Sequence, residues 1–182
     1  IVSSGVGRQR GMDCGLQFNQ TGNAGPHLRS VTHSRYYRRI NTLMWNIRGL
    51  SKAPTLRRLK NNIRMHGVQF VALSEPKLDV SRVESIRMRL SFDYAIINVS
   101  EDLWIFYNCP FVCSIVGNSN QHISLSIQHP WLSGPMIFSF VHALCSVEGR
   151  RDLWEKLLAD KPYSLPWCIG GDFNVIVDAH EK

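Results

Sequence analysis

Three short apolar runs, each closing on polar residues, constrain this chain more than any other feature of its sequence. Thr42 to Ile47 ends at Arg48 and Gly49, and Val68 to Leu73 ends at Ser74, Glu75, Pro76 and Lys77. The third starts at Trp167 and passes through Cys168 and Ile169 into Gly170, Gly171, Asp172, Phe173 and Asn174. Mainly apolar runs of this length fit buried strands, and the turn formers that follow mark where ladder pairing stops. Between the first two, Ala53 and Pro54 precede Leu56, Leu59 and Ile63 at helical spacing, with Gly67 where a helix should end. The segment therefore reads as a β–α–β unit.

Downstream, Val83, Ile86 and Leu90 share one helical face and predict a second helix over Ser81 to Leu90. Strand-like runs follow at Asp93 to Val99, Leu103 to Tyr107, Val112 to Val116, Ile123 to Ile127 and Met136 to Leu144, and their succession predicts an antiparallel meander. Leu153, Trp154, Leu157 and Leu158 predict a third helix over Arg151 to Leu158. Mixed helices and non-alternating strands favour a layered α/β or α+β sandwich over a regular doubly wound sheet.

A chain of 182 residues with 44% hydrophobic content has room for one domain and enough apolar mass for a core. The net charge of +7 favours an anionic partner, but it is unevenly placed. Residues 1–40 carry six arginines (Arg8, Arg10, Arg29, Arg35, Arg38, Arg39) against Asp13 alone, a net +5 that leaves +2 for the rest. That segment has no apolar period and reads as a flexible, disordered basic lead, with the domain over 41–182. Ile1 in place of methionine suggests a processed or cut chain, and nothing near it resembles a signal peptide or membrane span. Cys14, Cys109, Cys113, Cys145 and Cys168 form no paired CxxC set, so neither a zinc site nor a disulfide framework is indicated. A reduced, intracellular setting, nucleus or cytoplasm, is expected, with no membrane attachment. Without a secretion signal the sequons at Asn19 and Asn98 carry little weight.

The polar residues at the strand ends are the candidates for chemistry. Asn46, Glu75, Asp172 and Asn174 all stand where a side chain can leave the core while a sheet holds its position. Two carboxylates and two carboxamides suit phosphodiester hydrolysis, because Mg²⁺ is commonly held by one or two carboxylates with waters and phosphate oxygens. Glu75 is the natural metal ligand, and Asn46 would position metal or water. Asp172 would orient or deprotonate the attacking water, and Asn174 would donate to charge growing on the phosphate. Taken singly, each has a plainer explanation as a solvated or turn-closing residue. Their combination and order argue otherwise.

Met44 to Leu50 (MWNIRGL), Leu73 to Leu78 (LSEPKL) and Gly170 to Asn174 (GGDFN) resemble, in order and spacing, the endonuclease/exonuclease/phosphatase superfamily, and most nearly the endonuclease of plant LINE-type (non-LTR) retrotransposons. The helix between Thr55 and Gly67, the Phe140-Val141-His142-Ala143 run and Arg150 to Leu157 also look like that group, so the resemblance spans roughly Asn41 to Lys182. It implies a four-layered α-β-β-α sandwich of the DNase I-like type and Mg²⁺-dependent cleavage of DNA, with Mn²⁺ as the alternative ion. In the retrotransposon branch the nick in target DNA primes reverse transcription, which implies an original fusion to a reverse transcriptase. Asn46, Glu75, Asp172 and Asn174 match family active-site positions, and His142 falls where relatives carry a tyrosine or histidine able to donate a proton to the leaving oxygen.

The sequence departs from the family in two places. Ser100, Glu101 and Asp102 replace a Gly-rich lead-in to the strand at Leu103. The family's further aspartate in the second sheet and its Ser-Asp-His motif near the domain end are not reached before the sequence stops, and His180 lies too close to Asp172 to be that histidine. The expectation is a domain incomplete at its C-terminus, with activity impaired or lost and sheet edges exposed. A non-catalytic nucleic-acid-binding remnant and a phosphatase of phosphorylated small molecules are the rival readings. Arg48, Lys52, Arg57, Arg58, Lys60 and Arg64, with no acidic residue between Asn41 and Ser74, would offer DNA a phosphate-facing surface.

Overall fold

Pro54 sits in the first turn of the helix Ala53–Met65 (α1), where its missing N–H costs nothing, and Leu56 and Leu59 are buried one turn apart on its inner face. The helix joins strand Thr42–Asn46 (β1) to strand Phe70–Ser74 (β2), and the two strands pair in parallel, as the β–α–β pattern requires. In this computed structural model, which describes residues 39–175, the remaining elements follow in order. They are a 3-10 turn Val80–Arg82, α2 (Val83–Leu90), β3 (Tyr94–Ile97), β4 (Leu103–Tyr107), β5 (Val112–Asn118), β6 (His122–Gln128), β7 (Met136–His142), α3 (Val147–Asp160) and β8 (Trp167–Asp172).

The strands form two four-stranded sheets, ordered β1-β2-β4-β3 and β5-β6-β7-β8. This corrects the expected meander: β3 and β4 pair with each other and β4 with β2, whereas β5, β6 and β7 form a separate antiparallel set. Local strand propensity is blind to which sheet a strand joins. β8 adds to β7 in parallel.

Both sheets bury apolar side chains between them. Phe70, Ala72, Leu103, Ile105 and Tyr107 of the first face Ile123, Leu125, Ile127, Phe138 and Phe140 of the second. Phe70 is central, stacking on Tyr107 with ring centroids 5.6 Å apart and meeting Phe111 edge-on at 4.8 Å. Truncating Phe70 to alanine should cost about 3–5 kcal/mol. The other face of the first sheet (Val71, Leu73, Trp104, Phe106) packs under α1 and α2, and α3 covers the second sheet through Leu153 and Leu157. The result is a four-layered α-β-β-α sandwich, with β2 and β4 apolar on both sides.

Some boundaries shift. α3 begins four residues before the expected start, because Ser146 caps it by accepting from the Gly149 N–H at 3.1 Å, a signal without apolar periodicity. The predicted second helix splits, with Asp79 accepting from the Ser81 N–H to open the 3-10 turn. Ile40, assigned by sequence to the basic lead, is 4% exposed in the inter-sheet core, so packing starts one residue earlier; the lead through residue 38 lies outside the described residues. Asn98 is no sugar acceptor surface: it is buried, its amide donating to the Ser119 carbonyl and its Oδ1 accepting from the Leu103 N–H. No helix among the described residues is long and apolar enough to cross a membrane.

Candidate active site

The parallel strands β1 and β2 end side by side, and so do β7 and β8 on the facing sheet, so all five sequence-assigned residues gather at one end of the sandwich. Asn46 closes β1, Glu75 follows β2, His142 closes β7, Asp172 closes β8 and Asn174 lies just beyond.

Backbone pairing continues past the strands and shapes the turns. Ile47, Gly49 and Leu50 donate their N–H groups to the carbonyls of Ser74, Glu75 and Pro76, so the two exits are laced together. Glu75 takes a left-handed conformation, φ +52°, which an ordinary residue adopts only against a cost of about 1–2 kcal/mol. Its N–H donates to the Asp102 carbonyl at 3.0 Å. The Ser100-Glu101-Asp102 segment therefore braces the Glu75 turn without glycine, with Glu101 itself left-handed at φ +63°.

Asn46 joins the two carboxylates. Its Nδ2 donates to Glu75 Oε1 at 2.7 Å and to Asp172 Oδ2 at 2.8 Å, one bond to each sheet. The second Glu75 oxygen lies 3.3 Å from Lys77 Nζ, and His142 Nε2 stands 3.6 Å from Oε1, close enough for charge but too long for a hydrogen bond. The Glu75 carboxyl is held below the usual carboxylate range, first by the Asn46 hydrogen bond, against the opposing effect of burial, and further by Lys77 and His142. Asp172 Oδ1 accepts from the Asn174 N–H at 3.0 Å. Asn174, left-handed at φ +48°, gives one amide hydrogen to the Ala143 carbonyl at 2.5 Å, and its other amide hydrogen and Oδ1 have no partner among the described residues.

Glycine makes this convergence geometrically accessible. A Cβ on Gly170 would lie 2.5 Å from Met44 Sδ on β1, and one on Gly171 would lie 2.0 Å from the Val141 carbonyl oxygen. Without those side chains β8 approaches both its neighbour strand and the opposite sheet, which brings Asp172 within reach of Asn46.

Sequence reasoning missed two supporting residues. Arg150 Nη1 donates to the carbonyls of Leu144, Cys145 and Asn174, pinning the loop that carries Asn174 to the start of α3. Its signal was an arginine in the first turn of a helix, where the dipole disfavours a cation. Gln121 accepts from the Leu144 N–H through its side chain and from the His142 N–H through its backbone; no sequence pattern marks it.

The donor set fits a hard cation. Asn46 Oδ1 is buried without a hydrogen-bond partner, an orphan acceptor that ordinarily costs about 1–3 kcal/mol, and it belongs to the residue that joins both carboxylates. The carboxylates of Glu75 and Asp172, held on either side of the Asn46 amide, offer only oxygen. Among the described residues no three His, Cys, Asp or Glu side chains are grouped to hold an ion.

No protein-family model and no curated protein matches the sequence. Solved structures match in fold. The sandwich is similar to a mannosyl-6-phosphatase from Bacteroides thetaiotaomicron VPI-5482, with TM-score 0.54 and 14% identity over 74% of this chain and 65% of that one. The human Nocturnin catalytic domain with bound sulfate gives 0.52 and 14%, covering 74% and 64%. An endonuclease/exonuclease/phosphatase family protein from Bacteroides thetaiotaomicron gives 0.56 and 14%, covering 77% and 65%. At such identity the likeness establishes the DNase I-like fold. The chain spans just under two thirds of the length of these structures.

Proposed function

We propose that this chain carries part of a metal-dependent phosphodiesterase acting on DNA, an endonuclease of the plant LINE retrotransposon type with Mg²⁺ as its ion and Mn²⁺ as the substitute. The observation that carries the reading is the Asn46 bridge between Glu75 and Asp172, with Asn46 Oδ1 left as an orphan acceptor beside them. Glu75 and Asn46 would hold the ion. When bound, it supplies charge neutralisation at a phosphoryl oxygen.

The chain's own groups then divide the remaining work. Asp172, pinned through both oxygens, takes the proton of the attacking water as the new P–O bond forms. The free amide hydrogen of Asn174 serves the charge growing on the non-bridging oxygen. As the bond from phosphorus to the leaving oxygen breaks, His142 gives that oxygen a proton. DNA as substrate is supported by the ordered motifs and by Arg48 and Lys52, both exposed on the loop that leaves β1 beside the site. An intracellular setting, in nucleus or cytoplasm and beside a reverse transcriptase, follows from the same reading.

The fold likeness to a mannosyl-6-phosphatase favours one rival, hydrolysis of a small phosphomonoester. Nicking of supercoiled plasmid in Mg²⁺, run beside hydrolysis of a small aryl phosphate, separates the two. Nicking that falls about 10²-fold or more in Glu75→Ala and Asp172→Ala supports the proposal. Equal nicking above background from all three proteins removes the site assignment. As a readout independent of turnover, Mg²⁺ should raise the Tm of the wild type and not of Glu75→Ala. DNA binding at low salt with neither response would leave the non-catalytic remnant.

A further inference from the structure

At the end of the first sheet remote from Glu75 the ends of α1 and α2 enclose an open groove of about 290 Å³, lined by Lys60, Ile63, Arg64, Arg89, Leu90, Ser91, Phe92 and Asn108. Strand β2 separates it from the candidate active site, roughly 17 Å at about 3.3 Å per residue. Lys60 and Arg64 stand one turn apart on α1, and Arg89 comes from the last turn of α2. All three are exposed, and no ion pair or hydrogen bond engages their side chains among the described residues.

The neighbouring charges are already committed. Arg87 pairs with Glu84 and donates to the carbonyls of Phe92 and Asp93, while Asp93 accepts from the Cys109 N–H at 2.8 Å. Asn108 uses its Oδ1 to accept from the Asp93 N–H, which leaves its amide hydrogens available to the groove. No carboxylate lines the cavity. The carbonyl ends of two helices account for about half a charge each, so three clustered cations exceed what the helix dipoles neutralise. Such a set of unpaired like charges, with an amide and the Ser91 hydroxyl beside it, matches the donors that phosphate recognition uses.

We propose that this groove is an anion site that takes a phosphate group, separate from the candidate active site. Lys60, Arg64 and Arg89 supply the charge, Asn108 and Ser91 the neutral donors, and Ile63, Leu90 and Phe92 the apolar floor. The phosphate is either a backbone phosphate of a nucleic acid or a free phosphate.

The test uses the whole chain and needs no catalysis, so it stands or falls independently of the active-site reading. Inorganic phosphate is titrated by calorimetry into wild type, Arg64→Ala/Arg89→Ala and Arg64→Lys/Arg89→Lys, with circular dichroism confirming the fold of each. Wild-type binding that weakens about tenfold or more in the alanine protein, and is largely retained in the lysine protein, is expected. In parallel, binding of a labelled DNA duplex is followed against salt. A slope of log K against log[salt] that becomes shallower by about 0.9 in the alanine protein assigns the site to one backbone phosphate. An unchanged slope together with lost phosphate binding assigns it to free phosphate. Equal phosphate binding and equal slopes in wild type and the alanine protein overturn the proposal.

Discussion

The side-chain amide of Asn46 gives one hydrogen bond to Glu75 Oε1 and another to Asp172 Oδ2, so a single residue ties a carboxylate of one sheet to a carboxylate of the other.

Replacing that amide tests the tie. Asn46→Ala should lose about 2 kcal/mol of stability, as bonds to charged acceptors disappear and two carboxylates are left facing each other. Asn46→Asp should be worse in chelator, because a third carboxylate joins the pair, yet it should regain most of the loss in Mg²⁺. Thermal melts in the two buffers measure both, and an Asn46→Asp protein indifferent to Mg²⁺ would contradict the assigned ion site.

Acid should act through Glu75. Its carboxyl titrates below the ordinary 4.5 in the folded chain, chiefly because Asn46 donates to it. A depressed folded-state value means stability that is fully present above the unfolded value and is lost as pH falls through the folded one. Wild type should therefore lose stability more steeply than Glu75→Gln below about pH 4.5, and the two curves should run parallel near neutrality. Urea midpoints across that window decide it, and parallel curves throughout would count against the charge-stabilised carboxylate.

The two glycines of β8 should differ in tolerance. Gly171→Ala places a methyl 2.0 Å from the Val141 carbonyl oxygen at φ +143°, and backbone cannot step aside. A loss of about 3 kcal/mol is expected. Gly170→Ala meets only the end of the flexible Met44 side chain and should cost about 1 kcal/mol. Reversed order in thermal melts would show that β8 does not sit as tightly against β7 as described.

Ser119, His122 and Asp160 form a relay in which the histidine bonds Ser119 Oγ at 2.6 Å and Asp160 Oδ2 at 2.7 Å. The residue types match a hydrolase triad, but Ser119 is 5% exposed and His122 1%, which denies a substrate access. The relay is a structural tie: it accommodates a carboxylate at the end of α3, where the helix dipole opposes one, and Gly117 leaves the space that Asp160 fills. His122→Phe should cost about 3 kcal/mol by stranding Asp160, and Asp160→Asn about 1 kcal/mol because an acceptor remains. Equal urea midpoints for the two variants would refute the tie.

Much of the local structure was legible because it rests on neighbours in sequence. The Leu56/Leu59/Ile63 spacing, Pro54 and Gly67 announced α1, and the apolar runs announced β1, β2 and β8 before any contact was known. The candidate site was legible as a set of polar residues at strand ends, which strand pairing then brings to one end of the sandwich. Less legible were Ser146 as a cap, and Arg150 and Gln121, whose partners lie in other elements and leave no periodic trace.

Sequence alone thus determined most of the elements and the strand-end polar residues, since these depend on period and turn chemistry along the chain. Tertiary structure decided how the middle strands divide between two sheets, and that Asn46 stands between Glu75 and Asp172. The reason is physical: pairing partners and cross-sheet distances depend on packing between segments as many as 126 residues apart, and no local pattern encodes that.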